Sequence, residues 1–163
     1  MIKYKKSNLL DAFIAKEVNI IGHQCNFCCG LGAGVAKKIA ELFPKIASED
    51  YLFRNNVENS IGKILFVEVK ENMYIYNLYA QINTYYTQQD TFEKRLSWLK
   101  TCLKEMKKTL SFDDRIGFPL MASGLAANQE LKGSMSDLDY FKLYIHSIVD
   151  EVLGQYNVTI YYL

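Results

Sequence analysis

Val18-Asn19-Ile20-Ile21-Gly22 leads through His23-Gln24-Cys25-Asn26 into Gly30-Leu31-Gly32-Ala33-Gly34-Val35-Ala36. The first five residues are a compact apolar run bounded by turn formers, the pattern of a strand buried on both faces. After the glycines, Val35, Ala36, Ile39, Ala40 and Phe43 recur at helical spacing, and Pro44 is read as the end of that helix. A strand, a glycine-rich turn and an amphipathic helix in that order predict an α/β unit. Any ligand site would then lie at the carboxyl end of the strand.

The alternation continues on both sides. Residues 2–5 read as a short edge strand, and a second short helix is expected at about 46–53. Two β-rich runs, 64–69 and 74–79, flank Lys70-Glu71-Asn72-Met73 and predict neighbouring antiparallel strands. The longest helix is expected at 89–109, with Phe92, Leu96, Leu99, Leu103, Met106 and Leu110 on one stripe. Residues 116–120 read as a strand feeding Met121-Ala122-Ser123-Gly124-Leu125-Ala126. A final helix through Leu138, Phe141, Ile145 and Val149 ends at Gly154, and 158–163 closes the chain as a strand. Parallel crossovers plus one hairpin predict an α/β fold, a three-layer α/β/α sandwich with a mixed central sheet. With no linker, repeat or composition break in 163 residues, one domain over 1–163 is expected.

Composition narrows the function classes. Half of the residues are hydrophobic, which excludes a disordered chain, and a net charge of +1 gives no global field for a polyanion. No nucleic-acid partner is expected. No apolar stretch approaches the roughly 20 residues that cross a bilayer, and the N-terminus lacks the apolar core of a signal peptide. The expectation is a cytoplasmic protein without a membrane partner. Cys25, Cys28 and Cys29 cluster and Cys102 stands apart, a usage that fits reduced thiols. His23-x-Cys25-x-x-Cys28-Cys29 could be half of a zinc site, but no second Cys/His pair completes it, so no metal is expected. No cofactor is expected either.

Two loops have the composition of an anion site. Glycines at 30, 32 and 34 let the backbone turn sharply and present successive N–H groups, and the following helix adds its partial positive charge. Ala122-Ser123-Gly124-Leu125-Ala126 again places small residues directly after a strand. The alternative is that these glycines only permit close helix–strand packing. A dinucleotide fingerprint fails because its third glycine position holds Val35, and no Gly-Lys-Ser/Thr closes a phosphate loop. His23 is a candidate general acid or base, or else a hydrogen-bonded structural residue. Asn26 suits a sugar hydroxyl or a turn. Tyr85-Tyr86 could stack on a base or ribose; the other tyrosines read mostly as core.

Four segments in order resemble the macro domain family, whose members bind ADP-ribose or its derivatives. They are Ile20-Ile21-Gly22-His23-Gln24-Cys25-Asn26; Leu31 to Ile39 with Phe43-Pro44; Tyr74-Ile75-Tyr76-Asn77-Leu78-Tyr79-Ala80-Gln81; and Gly117-Phe118-Pro119 through Ser123-Gly124-Leu125-Ala126. The resemblance runs from about Asn8 to the C-terminus. It looks closest to the branch with small phage and bacterial macro domains, ADP-ribose 1″-phosphate phosphatases and hydrolases of ADP-ribosylated carboxylates. It implies an α/β/α sandwich. Asn8 stands where the family usually has an aspartate against the adenine amine, with Leu9 beside it. Gly32, Ala33, Gly34 and Val35 match the loop along the diphosphate and distal ribose. Ser123, Gly124, Leu125 and Ala126 match the second phosphate loop, and Asn26 a residue near the distal ribose.

The departures concern chemistry. Relatives that cleave ADP-ribose from carboxylates use a lysine where this chain has Gln81 and an aspartate where it has Ala126. Neither replacement can act as nucleophile, acid or base. An apparent insertion at 127–136 precedes Asp139-Tyr140, which stands where relatives carry Asp-Trp. Asp139 is therefore a candidate helper for His23, or only a helix N-terminal residue. The inserted segment borders the expected distal-ribose end. Two functions follow: hydrolysis of an ADP-ribose derivative near that ribose, or capture of ADP-ribose, free or protein-linked, without turnover. A Rossmann-like nucleotide enzyme is the third and weakest reading.

Overall fold

Residues 20–23 are buried on both faces, so the strand they form must lie inside a sheet with cover above and below. The computed structural model describes residues 1–28, 30–32 and 34–163; Cys29 and Ala33, with the expectations placed on them, lie outside the described residues. The chain runs β1 (Lys3–Lys6), α1 (Leu9–Ile14), β2 (Ile20–Asn26), α2 (Gly34–Leu42), α3 (Pro44–Asn56), β3 (Ile64–Lys70) and β4 (Met73–Gln81). It continues α4 (Phe92–Lys107), β5 (Arg115–Phe118), α5 (Gln129–Lys132), α6 (Asp137–Tyr140), a π-helical turn (Phe141–Ile145), α7 (His146–Leu153) and β6 (Asn157–Tyr162). The six strands order as β1-β6-β5-β2-β4-β3. All neighbours are parallel except the β3–β4 hairpin, which turns at Glu71-Asn72 with Asn72 at φ 58°.

Side-chain alternation along β2 builds two cores. Ile21 joins Phe13, Ile39, Ile46 and Ile75 beneath α1, α2 and α3. Ile20 joins Leu78, Leu99, Leu103, Phe141 and Val149 beneath α4 and α7. The arrangement is the expected α/β/α sandwich with a mixed sheet. Among the described residues no helix is long and apolar enough to cross a membrane.

Three local differences have physical causes. α1 went unread because its six residues are too short for periodicity to register, yet Leu9, Leu10, Ala12 and Phe13 are all buried. Pro44 does not close α2; it opens α3, in the first turn, where a missing N–H costs nothing. The last helix is divided by the π-helical turn between α6 and α7.

Two glycines are dictated by packing. A Cβ on Gly22 would lie 2.5 Å from Phe118 Cε1, and one on Gly117 would lie 2.7 Å from Leu9 Cδ1. Phe118 is fully buried and cannot swing clear. Gly22→Ala is therefore predicted to destabilise the protein by about 1–3 kcal/mol, the usual cost of overpacking. Urea denaturation reads this directly, and an unchanged midpoint would mean that the Phe118 ring yields.

Candidate functional site

β5, β2 and β4 are adjacent and end on the same side, at Phe118, Asn26 and Gln81. From β2 the chain crosses toward β4 and from β5 toward β6, so the connections diverge and leave a crevice between them. A cleft of about 680 Å³ opens there, walled by Asn8, Leu9, Gly34, Val35 and Asp137, with Tyr162 and Leu163 at the end of β6.

The first loop reaches the cleft through α2. Gly30 has φ 70° and Gly34 φ 59°, and a Cβ built on either would meet nothing within 4 Å. These glycines answer a backbone demand, not a packing one, unlike Gly22 and Gly117. Among the described residues, the N–H groups of Gly32 and Gly34 find no acceptor. They lead into the N-terminus of α2, whose first turn contains no acidic residue. Unpaired amides and the positive end of a helix dipole coincide there.

The second loop repeats the pattern by other means. Its carbonyls are turned onto the protein: Ser123 O accepts from Lys132 Nζ at 2.8 Å, Gly124 O from Gln129 Nε2 at 3.1 Å and Ala126 O from the Tyr86 hydroxyl at 2.7 Å. Among the described residues, the N–H groups of Gly124, Leu125 and Ala126 find no acceptor. Leu125 is 92% exposed at the tip, whereas Ser123 is fully buried with its hydroxyl donated to Met121 O. Ser123 therefore offers a ligand nothing from its side chain.

A buried ion pair, missed in the sequence, ties the second loop to the 82–86 segment. Arg95 on α4 meets Asp90 with Nε–Oδ1 at 2.6 Å and Nη2–Oδ2 at 2.9 Å, with side-chain exposures of 3% and 0%. Asp90 also accepts from the Ile82 and Asn83 amides, and Arg95 donates to Asn83 O and Tyr85 O. The guanidinium lies 4.0 Å from the Tyr86 ring centroid and reaches Ala126 O at 3.5 Å. Tyr86, expected as a stacking platform, is thus committed to the scaffold; Tyr85 is exposed. The available signal was Asp90-Thr91, a carboxylate ahead of the threonine that caps α4.

Several expected roles are corrected. His23 is fully buried, its Nε2 2.7 Å from Asn77 Oδ1. Asn77 and Tyr79 donate to Asp50, which pairs with Arg54, so the histidine heads a sealed polar chain on the α3 side of the sheet. Burial drives its pKa from 6.5 to about 4, against the opposing pull of Asn77 and Asp50. A neutral, enclosed imidazole does not serve as acid or base for a ligand in the cleft. Asp139 is exposed and exchanges hydrogen bonds with Ser136, capping α6 without lining the cleft. Asn8 lines the cleft, but its Oδ1 accepts from Leu10 and Asp11 N–H as the cap of α1, so it is not the free acceptor expected for a base amine.

Asn26 stands opposite Gln81 across a register shift in the β2–β4 ladder. Gln81 accepts from Gln24 Nε2 at 2.7 Å and donates to Asn83 O, which leaves Gln24 Oε1 buried with no partner among the described residues.

No protein-family model matches the chain, nor does any curated protein sequence. Solved structures do. A protein of unknown function from Bacteroides thetaiotaomicron superposes with a TM-score of 0.80 at 23% identity, over 100% of this chain and 98% of that one. The macrodomain of Mycobacterium tuberculosis DarG gives 0.73 at 16% identity, over 99% and 97%. This is the macrodomain fold. The Trypanosoma brucei macrodomain, solved in complex with ADP-ribose, shares it with a TM-score of 0.59 at 16% identity, over 98% of this chain and 62% of that one. The macrodomain architecture places both amide-bearing loops at the same end of the sheet, where the cleft lies.

Two predictions follow from the buried groups. The folded state holds His23 neutral down to about pH 4, whereas the unfolded chain protonates it near 6.5, so the unfolded state binds the extra proton in between. Stability is then full above pH 6.5 and falls as pH drops toward 4, by about 3 kcal/mol in all. Denaturation at stepped pH should show this slope and His23→Gln should flatten it; an equal slope in both would assign it elsewhere. Arg95→Met leaves Asp90 buried and unpaired and is expected to cost about 3–5 kcal/mol in the same assay. A loss under 1 kcal/mol, the range of an exposed pair, would remove the ion pair from its organising role.

Proposed function

We propose that residues 1–163 act as one macro-like domain that captures ADP-ribose, free or attached to a protein, by its diphosphate. The observation that carries this reading is the set of amides without acceptors on the loops after β2 and β5. A diphosphate supplies several anionic oxygens to such donors, and a helix N-terminus favours the charge. The cleft beside α2 has room for a nucleoside, with Leu9 and Val35 as apolar walls. Its polar walls include the Asn8 amide group, whose oxygen is engaged in the α1 cap, and Lys38 and Asp137. The buried, unpaired Gln24 Oε1 near Asn26 suits a sugar hydroxyl, since an unsatisfied buried acceptor costs about 1–3 kcal/mol. The ADP-ribose found in the Trypanosoma brucei macrodomain supports the choice of ligand.

Capture fits better than hydrolysis. His23 is enclosed, Asp139 is engaged in a cap, and Gln81 and Ala126 offer neither nucleophile nor proton. The reduced-thiol reading of the cysteines keeps the cytoplasm as the expected compartment.

Calorimetric titration with ADP-ribose, ADP and adenosine tests the reading. ADP-ribose should bind best and adenosine at least about ten-fold more weakly, the equivalent of losing one or two charge-assisted hydrogen bonds. Gly30→Val, outside the cleft lining, forces a β-branched residue into a left-handed backbone at the start of the first loop and should weaken ADP-ribose while leaving adenosine nearly unchanged. Equal affinity for adenosine and ADP-ribose would end the diphosphate reading.

A further inference from the structure

We infer that Lys132, in the inserted segment, is a positioning residue for the second loop, acting through the Ser123 carbonyl; the assignment rests on the amide-capture reading above. In a trans peptide the carbonyl and the following N–H point in opposite directions, and no cis peptide occurs among the described residues. Lys132 Nζ donates to Ser123 O at 2.8 Å, which turns the Gly124 N–H away from α5. Gln129 Nε2, one turn earlier on α5, donates to Gly124 O at 3.1 Å; that carbonyl also accepts from the Ala127 N–H at 3.1 Å, and the two bonds together turn the Leu125 N–H in the same manner. Both N–H groups are among those without an acceptor. The inserted helix thus holds the Ser123–Gly124 peptide by itself, and shares the next one with the Ala127 N–H, with both donors outward.

Among the described residues, no other hydrogen bond is made to the Ser123–Gly124 peptide. The Ser123 hydroxyl is occupied by Met121 O, and glycine at 124 lowers the resistance to a peptide flip. A lysine at the end of a helix ordinarily serves that helix's own last carbonyls. Lys132 ends α5, yet it reaches across to the neighbouring loop with only 13% of its side chain exposed. Its second partner is Asp137, a wall residue of the cleft. With a carbonyl and a carboxylate already on the ammonium, its charge is locally balanced, and its effect on an anion passes through the peptide it orients.

The test is calorimetry on the whole chain with ADP-ribose and adenosine, comparing wild type with Lys132→Met, Lys132→Gln and Gln129→Ala. Lys132→Met should weaken ADP-ribose about ten-fold, the worth of about one oriented hydrogen bond, and leave adenosine within about two-fold. Lys132→Gln keeps a donor without the charge and should return to within about three-fold of wild type. Gln129 is exposed, so Gln129→Ala should fold normally and weaken ADP-ribose about three-fold through the adjacent peptide. Wild type that ignores ADP-ribose overturns the capture reading itself. Wild type that binds, with Lys132→Met and Gln129→Ala binding equally well, overturns only the positioning role. Lys132→Gln as weak as Lys132→Met also overturns it, because the charge would then act on the phosphate directly. Where Lys132→Met does not fold, the comparison of Lys132→Gln and Gln129→Ala with wild type decides: a loss greater than about ten-fold in Lys132→Gln, or none in Gln129→Ala, overturns the assignment.

Discussion

The Asp90–Arg95 pair is the constraint on which the ligand end of the sheet depends. Loops that present bare amides have few contacts of their own, and such backbone drifts unless something rigid holds its other side. Arg95 is rooted in α4, which packs across the sheet, and its planar fork touches the 82–86 loop and Ala126 together. Asp90 closes the same knot from the start of that helix. A buried pair of this kind adds little net stability compared with an apolar pair, but it fixes a geometry, because each misplaced partner leaves a charge without solvent. Here the geometry fixed belongs to the 82–86 segment and to Ala126 in the loop after β5.

Charge is sparse on the two loops themselves, while Lys6, Lys38 and Asp137 line the cleft beside them. The chain is nearly neutral, the first loop contains no cation, and Lys132 has its ammonium paired. A site of oriented peptide dipoles needs no reorganisation when an anion arrives, and it discriminates by shape as much as by charge. Gln81 joins an amide ladder with Gln24 and Asn83, and Ala126 lends only its carbonyl.

The architecture was legible because it rests on periodicity. The buried run at 20–26, the β3–β4 hairpin and the stripe of α4 all have lengths over which a period of 2 or 3.6 can be seen. α1 and α5 are shorter than that, and each is marked instead by its capping asparagine, Asn8 and Asn128. The glycines were identifiable as important but not sortable: only coordinates separate Gly22 and Gly117, which are crowded, from Gly30 and Gly34, which have open space and left-handed backbone. His23 stayed open between an acid–base and a hydrogen-bonded structural role because a strand's sequence does not say which face a polar residue takes. Alternation puts it with Ile21 on the α3 side, where Asn77 and Asp50 wait for it. The Asp90–Arg95 knot could not be foreseen as one, since its partners are backbone groups scattered from 82 to 126.

The last strand has a practical consequence. β1 and β6 run side by side in the same direction, so the two chain ends leave from opposite poles: Met1 lies near Gly154, while Leu163 forms part of the cleft rim. A fusion partner, tag or surface tether joined after Leu163 would stand at the rim of the cleft. The same attachment ahead of Met1 would hang from the far side and leave the rim clear.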